Sequence, residues 1–96
     1  MSIIQSGVVT VGNQNGTTFA KEVTILFPQP FPTTPTVVAN TLQQPNLPPI
    51  PDAFAVSIVE VNTQQAVARV YRVDVAPPQQ GGWAQDLQLG WIARSH

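Results

Sequence analysis

The chain has 96 residues, no cysteine, ten prolines, four basic and five acidic residues, and a net charge of −1. That length holds one domain with a single core and leaves no room for a second. The composition excludes disulfides, thiolate metal sites and a cysteine nucleophile, and four cations cannot build the basic footprint of a nucleic-acid binder.

Apolar residues recur at spacing two, which predicts strands and no helix. The first strand is expected from Ile3 to Val11, closed by the polar turn Gly12-Asn13-Gln14-Asn15-Gly16. The second runs from Thr17 to Phe27, with Val23, Ile25 and Phe27 on one side, and stops at Pro28, because proline cannot donate to a ladder. The third covers Pro35 to Gln43, with Val37, Ala39 and Thr41 on one face. Pro45 to Pro51 reads as a proline-rich loop, partly polyproline II. The fourth strand is Ala53 to Val61, and Asn62-Thr63-Gln64-Gln65 is a hairpin turn into the fifth, Ala66 to Val75. A second long loop spans Pro77 to Trp83, and the sixth strand, Asp86 to Arg94, puts Leu87, Leu89, Trp91 and Ala93 on one face. Six short strands without helices predict an all-β, six-stranded sandwich or barrel in one domain, residues 1–96.

Only 9% of the residues are charged, where about 25% is usual, so Gln, Asn, Thr and Ser must supply the polar surface. Low charge suits subunit contacts and neutral ligands better than a solitary monomer. The start lacks a secretory leader, and no apolar run reaches the roughly 20 residues of a membrane-spanning helix. The expected setting is a virion-like particle, the cytoplasm or non-classical secretion.

Catalytic sets are missing. The lone histidine is His96, the last residue, where chain termini are usually mobile. The carboxylates Glu22, Asp52, Glu60, Asp74 and Asp86 form no spaced pair or metal cluster. The expectation is a binding protein, neither an enzyme nor a carrier of cofactor or metal. Asp52, Asp74 and Asp86 fall at predicted loop–strand junctions, fit for ligand hydrogen bonds. Trp83 lies among Gln79, Gln80, Gln85 and Asp86. It reads either as an exposed ring stacking on a sugar or as a ring folded back over the end of the sandwich. Trp91, in an alternating strand, reads as core or subunit packing. Arg69 and Tyr71 point to one face of the fifth strand and Arg72 to the other. Each arginine is either a solvated or interface ion pair or a group lining a groove between subunits.

Three blocks carry a resemblance: Gln5-Ser6-Gly7 at the start, Val23 to Pro28 with Phe31, Pro32 and Pro35 to Val38, and Gly90-Trp91-Ile92-Ala93 at the end. In this order the chain resembles the H-type lectin domain and the related C-terminal tip domains of phage tail fibres, over nearly its whole length. The resemblance implies a six-stranded antiparallel sandwich assembled as a homotrimer or hexamer. It also implies contact with glycans of the galactose or N-acetylgalactosamine kind at clefts between protomers, or, for a fibre tip, with a host-surface glycan or protein. The lectins' Asp-bearing first loop is here the shorter Gly12 to Thr18. Their sugar-binding arginine falls near Ala53, beside Asp52, and their Trp-His pair falls near Val73-Asp74. The expected ligand set is therefore this chain's own: Trp83, Asp74, Asp52, Gln80, Gln85, Asp86 and Arg72.

Overall fold

The computed structural model describes residues 3–14, 20–43, 53–73 and 83–95. Six strands follow in chain order: β1 (Ile3–Gln14), β2 (Ala20–Leu26), β3 (Thr36–Leu42), β4 (Phe54–Val61), β5 (Gln65–Arg72) and β6 (Trp83–Ser95). They form two three-stranded antiparallel sheets, β1-β6-β3 and β2-β5-β4. The all-β class expected from the alternation is observed, and of sandwich and barrel the sandwich that the resemblance implied is the architecture. β3 lies beside β4 at one margin and β1 beside β2 at the other.

The core follows from the period of two. β6 turns Leu87, Leu89, Trp91 and Ala93 inward, and β5 turns Ala66, Ala68 and Val70 inward. Small alanines on the inner side of β5 and large residues on that of β6 together fill the space between the layers. Val23 and Ile25 add the inner face of β2. At one end the Phe27 and Phe31 rings meet edge to face at 4.9 Å, and Phe27 tilts against Trp91 at 5.6 Å. These arrangements suit the ring quadrupoles. The backbone N–H groups of Phe27 and Phe31 donate to the carbonyls of Gln64 and Thr63, which ties the post-β2 segment to the β4–β5 turn. That turn is the one expected at residues 62–65. The Asn62 side-chain oxygen accepts from the N–H groups of Gln64 and Gln65 at 2.8 and 2.9 Å, the Asx device that makes asparagine a turn former.

The motif blocks from the two ends of the chain meet in register. Gln5, Ser6 and Gly7 oppose Ala93, Ile92 and Trp91. Gly7 is needed there because a Cβ would lie 3.1–3.2 Å from the indole Nε1, Cε2 and Cζ2 of Trp91. Gln5 then reaches across to the other sheet, donating to the Gln29 carbonyl at 2.8 Å and accepting from the Gln29 N–H at 3.1 Å.

Two expectations change. The segment from Gly12 is not a turn: β1 continues through it to Gln14, with register shifts on both sides of Gly12. Gly12 has φ +78°, the left-handed conformation that an L side chain resists and that a bulge of this kind uses. The sixth strand starts at Trp83 rather than at Asp86, so Trp83 is a strand residue instead of a loop residue.

Candidate functional site

The period of β6 separates the residues expected to form one ligand site. Trp83 is only 3% exposed, and its ring meets Phe54 edge to face at 5.1 Å. Its indole N–H donates to the Gly12 carbonyl at 2.8 Å. The bulge thus supplies the acceptor that a buried tryptophan needs. Of the two readings of Trp83, the structure has the ring folded into the end of the sandwich. Gln85 is half-buried, while Asp86 is exposed on the opposite side of β6. Arg72 ends β5 opposite Phe54, so it shares the Trp83 end of the sandwich. Asp52, Asp74 and Gln80 lie outside the described residues.

The two outer faces carry what surface chemistry the described residues offer. On the sheet β2-β5-β4, Glu22, Arg69 and Ser57 form one cross-strand row, beside the row Ala20, Tyr71 and Ala55. The Arg69 Nε and Nη2 both donate to Glu22 Oε2, at 3.1 and 2.6 Å, and Nη1 donates to the Tyr71 hydroxyl at 3.4 Å. The Glu22 carboxylate first, and Tyr71 second, hold the Arg69 guanidinium pKa above its ordinary value. Arg69 and Tyr71 do share a face, as expected, and Arg69 is the ion-paired surface residue of that reading.

The outer face of β1-β6-β3 is different. Its rows read Ile4, Arg94, Thr36; then Ser6, Ile92, Val38; then Val8, Gly90, Asn40; then Thr10, Gln88, Leu42. Ile4, Val8 and Val38 are each more than 60% exposed, with Ile92 and Leu42 close behind. Arg94, at one end, is the single charge in these rows. Gly90 leaves the middle of the face hollow, and a Cβ there would lie 3.2 Å from Leu42 Cδ1. The hollow, about 670 Å³, is bordered by Val8, Val38, Asn40, Leu42 and Ile92. A second cleft, about 320 Å³, opens around the β1 edge between β1 and β2, walled by Val9, Ile25, Leu26 and Pro28, and both hollows share Ser6, Gly7, Val8 and Trp91. Sequence reasoning missed this face, although neighbouring apolar pairs (Ile3-Ile4, Val8-Val9, Val37-Val38, Trp91-Ile92) signal strands with both sides covered.

Among the described residues no group of three or more His, Asp or Glu could hold a metal, and no helix is long and apolar enough to cross a membrane. No family model and no curated protein matches the chain. Solved structures do. The R1 pyocin fiber of P. aeruginosa, comprising C-terminal residues 323–701, superposes with TM-score 0.73 at 21% identity over 99% of this chain. An N-truncated R1-type pyocin tail fiber superposes with TM-score 0.71, also at 21% identity over 99% of this chain. The chain spans 23% of the length of the first and 71% of the second. Of the two groups that the sequence resembles, the tail-fibre domain is the one these structures support: the chain has the fold of a pyocin tail-fibre domain.

Proposed function

We propose that this chain is a structural and receptor-binding domain of a tail-fibre-like appendage, acting as a homotrimer and by binding rather than catalysis. The observation that carries the reading is the likeness to pyocin fibre domains over 99% of the chain. The apolar outer face of β1-β6-β3, with Arg94 only at one end, supports it, because patches of this kind mark association surfaces. Light scattering tests the assembly: a trimer is expected, and a monomer at micromolar concentration sinks the reading. Fluorescent protein applied to bacterial cells tests the receptor half. Binding lost after protease treatment of the cells identifies a protein receptor, and no binding to any strain of a broad panel removes that half.

A second reading, glycan recognition, is favoured by one observation: the Glu22–Arg69–Tyr71 surface cluster, with Glu22 exposed and Arg69 and Tyr71 half-buried, offers an aromatic ring beside planar donors and acceptors. That combination suits hydroxyl-rich ligands. With Trp83 buried, Tyr71 takes the place expected for it. On a glycan array, wild type should bind and Tyr71→Ala should not. Equal signals from both would dismiss this reading.

A further inference from the structure

We propose that the native domain withstands proteases of the trypsin class, because every bond they could cut lies in a paired strand and the sandwich must open before any is cut. The inference goes beyond the fibre reading and does not depend on it.

The first ground is where the basic residues stand. Enzymes of this class cut after Lys or Arg, and the chain has four: Lys21 in β2, Arg69 and Arg72 in β5, and Arg94 in β6. The stretches that join the strands, residues 15–19, 27–35, 43–53, 62–64 and 73–82, carry none. Folded domains are usually nicked in such connections. Here that route offers the enzyme no cation to bind.

The second ground is how the four are held. β5 and β6 are the middle strands of their sheets. Arg69 lies between Glu22 and Ser57, and its chain neighbours Ala68 and Val70 are fully buried. Arg94 lies between Ile4 and Thr36, flanked along the chain by the buried Ala93 and Ser95. At the end of β5, Arg72 pairs with Phe54, and the next N–H, that of Val73, donates to the Ala53 carbonyl at 2.9 Å. Lys21 stands on an edge strand. Its backbone is nevertheless in register with Val70, and its Nζ donates to the Asn13 carbonyl at 2.9 Å.

The third ground is what cutting requires. A protease takes the residues on both sides of the cut in extended form and pairs with their backbone groups, as any partner that adds a strand does. In this domain those groups already serve the ladders. To present Arg69 or Arg94, the chain must give up a middle strand, and the two strands beside it then lose their partner. To present Lys21, β2 must leave β5 and take Val23 and Ile25 out of the core. Openings of this size approach global unfolding, and the cleavage rate follows their population when reclosing is fast.

Trypsin digestion of the intact chain across a urea series, with the fragments identified by mass spectrometry, tests this. The logarithm of the cleavage rate is expected to climb with urea as steeply as the unfolding equilibrium read by circular dichroism. Thr33→Lys puts a cation at an exposed position outside the strands. Trypsin is expected to cut after it about a hundredfold faster than it cuts the wild type in water, with little dependence on urea, because a local opening suffices. A wild type cut at a rate that urea barely changes below the unfolding midpoint, or cut at Lys21 or Arg72 while still folded, overturns the proposal. So does a Thr33→Lys variant that folds and resists as well as the wild type, since the place of the cation would then not matter. Should Thr33→Lys fail to fold, the urea slope of the wild type decides alone.

Discussion

The two outer faces of this sandwich are built on the same strand geometry and differ in kind. One row of β2-β5-β4 joins Glu22, Arg69 and Ser57, with Tyr71 bonded to the same guanidinium. The equivalent rows of β1-β6-β3 join Ile92 to Val38 and Val8 to Gly90 and Asn40. A polar network keeps the first face wet. The second exposes branched apolar side chains around a glycine hollow, which is costly in water for an isolated domain. The difference teaches that one sheet is finished for water, whereas the other presents the kind of surface that the proposed assembly would cover.

The largest test of that difference goes through the core beneath the apolar face. Trp91 packs on Phe27, covers Gly7 and lines both hollows. Trp91→Ala should cost about 3–5 kcal/mol in urea denaturation and should dissolve the assembly as well. If stability falls while the trimer persists at equal strength, the apolar face does not depend on what lies under it.

The bulge at Gly12 is next. Gly12→Ala forces an L side chain to φ +78°, at a cost of about 1–2 kcal/mol. Trp83→Phe removes the indole donor to the Gly12 carbonyl and shrinks a buried ring, and should cost about 1–2 kcal/mol. Both sites lie away from the two hollows, so both variants should melt earlier and remain trimers. Loss of assembly at Gly12→Ala would move the contact toward the bulged end of β1.

Much of the fold was legible in the sequence, for physical reasons. Period-two burial is a property of the chain itself, so Leu87, Leu89, Trp91 and Ala93 could be assigned to one face before any partner strand was known. The turn at Asn62 was legible because asparagine closes it with its own side chain. The bulge was not. Gly12 beside Asn13 and Gln14 has turn-forming composition, and only its pairing with the start of β6 makes it a strand. Trp83 stayed open between two readings for the same reason: its neighbours in sequence are amides and glycines, while its neighbours in space are Phe54 and the Gly12 carbonyl. Of the expected ligand set, Asp86 is turned away from Trp83 because residues adjacent in sequence on a strand face opposite ways, and Asp52, Asp74 and Gln80 lie outside the described residues. The apolar outer face was written in the paired apolar residues, but alternation marks one face as buried and is silent on who covers the other.

The smallest effect belongs to the polar face, and its smallness is informative. Arg69 and Glu22 are 40% and 54% exposed, so water competes for both partners and salt screens them. Glu22→Gln should leave the urea midpoint close to wild type at low salt and indistinguishable from it at about 0.5 M salt. The raised Arg69 pKa adds no pH dependence in the working range. A group raised on folding contributes fully below its unfolded pKa and loses that contribution only as pH climbs through the folded one, which for a guanidinium is strongly alkaline. The network is therefore arranged geometry at almost no gain in stability. Had the pair been fixed by a protein neighbour, as the apolar face is proposed to be, it would be desolvated and its loss expensive. A Glu22→Gln variant that dissociates the trimer, or that loses stability independently of salt, would show that both faces are covered and would erase the asymmetry between them.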